Sequence, residues 1–400
     1  MGRESSVMHH AVELFVSSAP GDQVIREELC ARLAAFVDAG IVREAVPAAP
    51  PDDTRSRIRT ADVVVVLVSP EALAPGSIVE TTLREGLAME SDKRAVVIPL
   101  RARAGAPEEA GLLADRTIYP RDGRALDDAE QREEIFREAI AGVLTGVTLC
   151  HVMVGDYLLE DEREAAAAAS FQRGMTLAER LAGDAPEDQD HRSLVAITRD
   201  RYADALLAAG DGPGALAAYK EALVVRDRLA RDAPDDITRR RALARCHESI
   251  GEVLRAMGEK PDALMAYRAC LALREDLAES TYDDEARRDL YATYGRIGHV
   301  LRAMGDPRGA LDAFRTGLKL ASRLAAEQPD MAAIQGDHAL FCFRAATVLA
   351  EGTSAERLEA RSLLRRALAI YRVLEERELL TEAQAIWPPA VEALLVTLGT

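Results

Sequence analysis

The sequence predicts a two-part chain, with an open, doubly wound α/β domain followed by an all-α solenoid of helical hairpins. Short apolar runs rich in β-branched residues alternate with segments of helical spacing up to about residue 146. This alternation is typical of a parallel sheet covered by helices on both faces. From residue 147 onward the spacing is helical, and similar segments recur at intervals of 47 or 48 residues. Recurrence at a nearly fixed period indicates a solenoid whose hairpins pack against their neighbours.

The α/β domain is expected to span residues 11–146 and to have a flavodoxin-like fold. The unbroken apolar run 61–69 predicts a central strand, since strands of a parallel sheet are buried on both faces. Run 41–46 predicts an edge strand, and helices are predicted over 22–40 and 129–144. The five predicted strands are 11–17, 41–46, 61–69, 95–100 and 116–120. The apolar side of the first helix consists of Val24, Ile25, Leu29, Leu33 and Phe36.

Two sequence anchors define five predicted hairpins in residues 147–380. The turns inside the hairpins place a glycine before a proline, which ends one helix and fits the first turn of the next. Residues 381–400 predict a capping helix in which Trp387 is a packing residue. The first anchor reads GDYL (155–158), ADAL (203–206), GEVL (251–254), GHVL (298–301) and ATVL (346–349). The second reads AAAASFQRGM (166–175), ALAAYKEAL (215–223), ALMAYRACL (263–271), ALDAFRTGL (310–318) and ARSLLRRAL (360–368).

Composition excludes several classes of partner. The formal net charge of -17 repels phosphate backbones and anionic membrane surfaces, so neither nucleic acid nor a membrane is expected as a partner. The spacing of the five cysteines argues against a disulfide framework and against a metal site. Residues 1–10 predict a leader without structure, and the protein is expected to be cytoplasmic.

The helical anchors resemble the tetratricopeptide (TPR) repeat. In the third repeat the matching residues are Ile250-Gly251, Ala263, Tyr267 and Cys270-Leu271. The repeats are longer than the TPR consensus of about 34 residues, and acidic turns are expected to cap the added helical length. The resemblance implies a groove, lined by the first helices of the hairpins, that binds another protein or a peptide. The positions expected to face it are Asp200, Asp204, Glu248, Glu252, Arg255, His299 and Arg302.

The α/β domain resembles a bacterial Toll/interleukin-1 receptor (TIR) domain over about residues 11–145. The similarity lies in LFVSSAPGD (14–22), VVLVSPEAL (65–73), AVVIPLRAR (95–103) and YPRDGRAL (119–126). Ser17 and Asp22 match the family's opening loop, whereas Ser18 and Ala19 replace a tyrosine and a serine. The resemblance implies self-association through the domain and, in many members, cleavage of NAD, for which Ser17, Asp22 and Ser69 are the binding positions.

The residue expected to catalyse NAD cleavage departs from the TIR pattern. The resemblance implies a glutamate on the helix after Ser69, at the position that Thr82 holds. A threonine hydroxyl carries no charge to stabilise an oxocarbenium-like sugar. Glu85 shares the helix face of Thr82, while Glu80 points to the opposite side, so Glu85 is the better substitute. The segment 46–62 also lacks the aromatic residues that wall the pocket in TIR relatives.

Two functions follow from these patterns. The preferred one is a signalling or bacterial defence protein without a bound cofactor, in which a TIR-like module with a degenerate NAD site is joined to a TPR scaffold. The alternative is an NAD glycohydrolase, with NAD as the substrate, that becomes active on oligomerisation or when the repeats bind a partner. A third reading, assembly of the chain with itself through the repeats, also stays open.

Overall fold

The computed structural model describes residues 11–45, 58–105, 111–281 and 283–399. The predicted leader at residues 1–10 and most of the aromatic-free segment, residues 46–57, therefore lie outside the described residues. The chain divides into two compact units, one ending at Asp211 and the other beginning at Gly212. We describe the two units separately.

The first unit contains a parallel sheet of four strands in the order β2-β1-β3-β4. The strands are β1 (Val12–Ser17), β2 (Val42–Ala45), β3 (Val63–Val68) and β4 (Val96–Arg101). Val63 aligns with Leu14 on one side and with Val96 on the other. All six residues of β3 are buried, because the strand lies between β1 and β4 and is covered on both faces. This confirms the predicted central strand, and β2 is the edge strand that the sequence predicts.

Two details of the predicted α/β domain are wrong. The fifth strand, expected at residues 116–120, is reduced to a single parallel bridge between Tyr119 and Leu100. In helix α1 (Gln23–Asp38) the side chain of Val24 is 72% exposed, whereas Ile25, Leu29, Leu33 and Phe36 are buried as expected. At about 100° per residue, Val24 points about 135° away from the centre of the stripe that the four buried residues form, so it faces away from the core. Helix α2 (Ile78–Ser91) covers β3 and β4 through a buried apolar face.

Helix α3 (Arg132–Glu160) packs on the sheet and also forms the first helix of the first hairpin. A Cβ added at Gly146 would lie 2.6 Å from Ile98 of β4, so this part of the helix packs directly on the sheet. Further along, a Cβ at Gly155 would lie 2.4 Å from the ring of Phe171 in the next helix. The predicted domain boundary near residue 146 thus falls inside one continuous helix.

Length and composition would also allow α3 to cross a membrane, and it is the single helix among the described residues that meets this test. Of its most apolar window, 61% is buried inside the protein. The apolar residues are used against the sheet and the neighbouring helix, as in a core helix of a soluble protein.

Helices from α3 onward form successive antiparallel hairpins, as the repeat of the sequence predicts. In the first unit α3 pairs with α4, and α5 begins the next repeat. In the second unit α7 pairs with α8, α9 with α10, and α11 with α12. The helices are α4 (Glu164–Asp184), α5 (Gln189–Ala208), α6 (Gly212–Asp232), α7 (Ile237–Ala256), α8 (Lys260–Thr281), α9 (Asp284–Ala303), α10 (Pro307–Glu327), α11 (Ala332–Leu349) and α12 (Ser354–Glu376).

The predicted turn signals act as the sequence indicates. Gly210, Gly258 and Gly305 follow the ends of α5, α7 and α9, each with a φ between 81° and 85° that favours glycine. The acidic turns cap the following helices, as predicted. The side chain of Asp236 accepts a hydrogen bond from the Arg239 amide, and that of Asp283 accepts one from the Ala286 amide.

In three of the hairpins the two sequence anchors meet as a glycine against an aromatic ring. A Cβ built on Gly251 would lie 2.7 Å from the ring of Tyr267. A Cβ on Gly298 would lie 2.5 Å from Phe314, which repeats the contact of Gly155 with its ring. In each pair the aromatic residue follows the glycine by sixteen positions, as Tyr267 follows Gly251. The repeated sequence therefore encodes a repeated close approach of two helices.

The predicted capping segment forms two short helices, α13 (Glu382–Ala385) and α14 (Trp387–Thr397). The ring of Trp387 lies 5.7 Å from that of Phe343, centroid to centroid, and packs with the apolar cluster of α11 and α12. The single helix expected for residues 382–400 is interrupted at Ile386, ahead of two prolines that fit the first turn of α14.

Candidate functional site

The second unit contains a groove with a cavity of about 870 Å³. Its walls come from α7, α9 and α11, the first helices of three successive hairpins, as the TPR resemblance implies. Apolar side chains of Ile334 and Phe341 line it together with charged groups from all three helices. A cavity of this size and composition is within the range of ligand sites in proteins.

The structure brings three of the predicted groove residues together at this cavity. Glu252 and Arg255 line it from α7, and His299 lines it from α9. Arg255 donates a hydrogen bond to Glu252 at 2.8 Å, and Arg296 of α9 donates another at 2.9 Å. The first hydrogen bond lies within α7, and the second connects α7 to α9 across the groove.

The remaining predicted groove residues lie elsewhere. Arg302 is near the end of α9, where its guanidinium pairs with Glu351 at 2.8 Å. Asp200 and Asp204 lie on α5, in the first unit, and Asp204 pairs with Arg201 at 3.2 Å. Their role in binding a partner stays a prediction.

Glu248 does not line the cavity and instead pairs with two arginines. Its carboxylate accepts two hydrogen bonds from Arg274 of α8, at 2.6 and 3.1 Å, and also pairs with Arg296 at 2.8 Å. The Arg274 side chain is 4% exposed and donates another hydrogen bond to Thr293 at 2.6 Å. Asp289 is a second and more distant carboxylate for Arg274, at 3.5 Å. Because Glu248 is the closer partner of a buried guanidinium, this contact is important for the packing of α7, α8 and α9.

A second polar network connects α9 to α11. The hydroxyl of Tyr291 donates a hydrogen bond to Asp337 at 2.5 Å, and Arg288 pairs with the same carboxylate at 3.1 Å. Burial, and then the hydrogen bond to Asp337, raise the pKa of the Tyr291 hydroxyl above its usual range. The phenol therefore stays protonated and acts as a donor at neutral pH.

The acidic residues of α9 that line the groove lie near the beginning of the helix, together with Arg288. Asp284, Glu285 and Asp289 lie in its first two turns, and Arg296 and His299 lie near its other end. At 1.5 Å per residue, Asp284 and His299 are about 22 Å apart along the helix. Desolvation, and then the charges of Arg344, Arg302 and Arg255, lower the pKa of His299 to about 4. The imidazole is thus neutral at pH 7, and the positive charge at this end comes from the arginines.

Sequence reasoning missed the acids Asp284, Glu285 and Asp289 of α9 and four further charged residues of the groove. Three of those four are part of the networks above. Each of these three, Arg288, Arg296 and Asp337, forms an ion pair with a residue of a neighbouring helix. The spacing of residues along one helix therefore does not reveal the partner. The fourth, Arg344, lies against the ring of Phe341 at 5.1 Å to the centroid. Arg255 and Arg302 lie four residues after the anchor glycines Gly251 and Gly298, whereas Arg344 lies two residues before Ala346, the place that Arg296 has relative to Gly298.

In the α/β domain the structure brings Asp22 and Ser69 together near the carboxyl ends of β1 and β3. The hydroxyl of Ser69 donates a hydrogen bond to the fully buried Asp22 carboxylate at 2.6 Å. Arg103, which follows β4, donates one to the other carboxylate oxygen at 2.7 Å. Ser17 is buried at the end of β1. Both carboxylate oxygens of Asp22 thus accept a hydrogen bond, as a buried carboxylate requires. These two bonds connect the segments that follow β1, β3 and β4.

The three residues considered for NAD cleavage all lie on α2, and each has an internal partner. The Thr82 hydroxyl donates a hydrogen bond to the carbonyl of Ile78 at 2.8 Å and is buried. Glu85 pairs with Arg59 at 3.0 Å, and Glu80 pairs with Arg84 at 2.8 Å. The bond to Arg84, and then one from the Gly76 amide, lower the pKa of the Glu80 carboxyl.

A smaller cavity of about 500 Å³ in the first unit has different walls. It is lined by residues of β4, of α3 and of segment 111–119, among them Arg116 and Tyr119, and by Glu90 of α2. None of the residues predicted for NAD binding or cleavage lines it. Within the described ranges, no group of three or more His, Cys, Asp and Glu side chains is arranged to hold a metal ion.

Comparison with known proteins gives no family assignment. No family model matches the chain, and no curated protein matches it. Solved structures of helical-repeat proteins match at low sequence identity. A kinesin light chain protein of Podosopora anserina with nearly identical TPR-like repeats is 13% identical over 55% of this chain and 93% of its own, with a TM-score of 0.41.

Two further structures are similar to the same extent. MamA is 16% identical over 58% of this chain and 97% of its own, with a TM-score of 0.35. The apo form of RapI is 13% identical over 67% of this chain and 90% of its own, with a TM-score of 0.39. Since all three TM-scores are low, the description of this chain as tandem TPR-like helical hairpins rests on its own repeat and packing.

Proposed function

We propose that this chain is a protein-interaction protein whose TPR-like repeats bind a segment of another protein, or a peptide, in the groove of α7, α9 and α11. The observation that carries the proposal is the cavity of about 870 Å³ formed by three successive first helices. Its mixture of apolar walls and fixed charges suits an extended peptide, because apolar contacts supply affinity and the charges select sequence.

The composition of the groove supports a peptide rather than a small apolar ligand. Charged groups line it from every helix, and most of them form fixed pairs such as Arg296 with Glu252 and Arg288 with Asp337. Ion pairs that are already formed lose little freedom on binding, so they present a preorganised surface. The cavity is lined from Asp284 to His299, almost the whole of α9, and this length favours a ligand that extends along the helix.

Binding of random peptide pools to the full chain tests this proposal. A variant that fills the groove, Ala292→Trp, is expected to weaken retention of bound peptides by tenfold or more, since Ala292 lines the cavity from α9. Leu340→Gln, from α11, provides a second test should the tryptophan disturb folding. Met265→Trp is the matched control, because Met265 is 68% exposed on α8 and outside the cavity walls. Equal retention by all three variants would contradict the proposal.

For the α/β domain, the proposal is a TIR-like signalling module with a degenerate NAD site, in a bacterial defence or signalling system. It is supported by Thr82, whose hydroxyl is engaged by its own helix, and by the ion pairs of Glu80 and Glu85. Incubation of the full chain with NAD, alone and under crowding, is expected to give no nicotinamide. Turnover that Glu85→Ala or Glu80→Ala abolishes would favour the glycohydrolase instead. Light scattering over a concentration series tests self-association of the domain.

A further inference from the structure

One guanidinium in the groove lacks the partner that its neighbours have. Arg255, Arg288 and Arg296 each pair with a carboxylate. Within the part of the chain that the structure describes, the guanidinium of Arg344 forms neither a salt bridge nor a hydrogen bond, and its buried Nε is without an acceptor. Its contact is the face of the Phe341 ring. A desolvated cation without an anion destabilises the fold.

The groups that face Arg344 do not neutralise it. Asp337 is the nearest acidic influence, but its carboxylate is engaged by Tyr291 and Arg288. Desolvation, and then the neighbouring charge of Arg296, lower the pKa of Arg344 to about 10. The guanidinium is still charged at neutral pH, and it carries an uncompensated positive charge at the wall of the groove.

The opposing helix provides space for this side chain. Gly295 lies inside α9, where a Cβ would come within 2.4 Å of Nη1 of Arg344. Glycine in a helix interior costs stability relative to alanine. The unpaired cation and the glycine that accommodates it therefore both lower the stability of the fold at the same place. Such a local loss of stability is typical of a binding site.

We propose that Arg344 is the anion-binding residue of the groove and pairs with the carboxylate of an aspartate or glutamate side chain in the bound peptide. This inference rests on the proposed peptide-binding function. A guanidinium presents parallel N–H donors that match a carboxylate, and pairing of this kind is favoured where water is excluded. The cavity walls extend along α9 from Asp284 to His299, beyond Gly295, which lies opposite Arg344. An internal residue of the peptide therefore fits the position better than a chain end.

Three pools of heptapeptides, randomised over all residues other than Asp and Glu, test the proposal. The first pool has Asp fixed at the centre, with an acetylated N-terminus and an amidated C-terminus. The second has Asn in place of Asp, and the third has the Asn with a free terminal carboxylate. Retention of each pool by the full chain is measured by mass spectrometry. The wild-type protein is expected to retain the Asp pool about tenfold better than the Asn pool.

Two variants should remove this preference for different physical reasons. Arg344→Gln removes the charge, and Gly295→Ala displaces the guanidinium. Arg315→Gln is the matched control, because Arg315 lies on α10 and pairs with Glu359 outside the cavity walls. Thermal unfolding provides an independent readout. Arg344→Gln is expected to melt at the same or a higher temperature than the wild type, since an unpaired cation is lost.

Each other outcome contradicts the proposal. Equal retention of the Asp and Asn pools by the wild type would show that Arg344 selects no acidic side chain. Stronger retention of the free-acid pool than of the Asp pool would assign the arginine to a chain terminus. A lower melting temperature of Arg344→Gln with unchanged retention would make its role structural. If none of the pools binds, the proposed peptide-binding function fails as well, whereas binding that ignores Arg344 leaves that function intact.

Discussion

Replacing Gly298 by alanine is expected to destabilise the hairpin of α9 and α10. The new Cβ would lie 2.5 Å from Cε1 of Phe314, and that ring is 1% exposed, so it has no free space to move into. Overpacking of a core in this way costs typically about 1–3 kcal/mol. Alanine in a helix recovers about 1 kcal/mol relative to glycine. The net expectation is a loss of about 1 kcal/mol in the free energy of unfolding.

Gly183→Ala is the matched control for this prediction. Gly183 is exposed in α4, and nothing lies within 4 Å of an added Cβ. Only the gain in helix propensity applies there, so the two variants should differ by about 2 kcal/mol and in opposite directions. Urea unfolding followed by circular dichroism measures both, and hydrogen exchange in α9 and α10 assigns the loss to that hairpin. Equal stability of the two variants would refute the role given to the glycine–aromatic contact.

Three further predictions concern buried polar groups. Glu248→Ala should cost up to about 3 kcal/mol because it leaves the buried Arg274 with the more distant carboxylate of Asp289, at 3.5 Å, whereas Arg274→Met should cost only about 1 kcal/mol since Glu248 keeps Arg296; equal losses in urea unfolding would contradict this. Ser69→Ala should cost about 1–2 kcal/mol by removing one hydrogen bond to the buried Asp22, and an unchanged urea midpoint would argue against that bond. Burial lowers the pKa of both His151 and His338 to about 4, with Arg173 and Arg366 respectively adding to the effect. Both rings are neutral in the fold but accept a proton near pH 6.5 when unfolded, so stability should fall as the pH falls from 6.5 towards 4, by up to about 3 kcal/mol for each ring. His151→Gln and His338→Gln should each lessen this decline in urea unfolding, and an unchanged slope with pH would show that the ring is solvated.

The sequence predicts the helical part of the fold well because its signals are local and repeated. Gly258 and Gly305 stop helices at equivalent places, Asp236 and Asp283 cap the helices that follow, and the anchor glycines recur with their aromatic partners. Repetition makes each signal an independent check of the others. The α/β domain carries each signal only once, so no second copy in the sequence tests the predicted fifth strand, which is reduced to a single bridge.

The groove could be predicted only in part. The TPR resemblance places Glu252, Arg255 and His299 on the correct helices, and all three line the cavity. The sequence does not show which arginines are already neutralised, because the partners lie on neighbouring helices. Glu248, predicted to face a ligand, is engaged by Arg274 of α8. Arg344 differs from Arg255, Arg288 and Arg296 because no described carboxylate pairs with its guanidinium, and that is a property of the packed structure.

The central claim is that the first helices of successive repeats bind a peptide. It is tested most directly by photo-crosslinking a benzophenone-labelled peptide from the retained Asp pool to the full chain and identifying the labelled residues by mass spectrometry. We expect labels on α7, α9 and α11, at or beside Ala292, His299 and Leu340. Labels confined to α8, α10 and α12, or to the α/β domain, would contradict the claim.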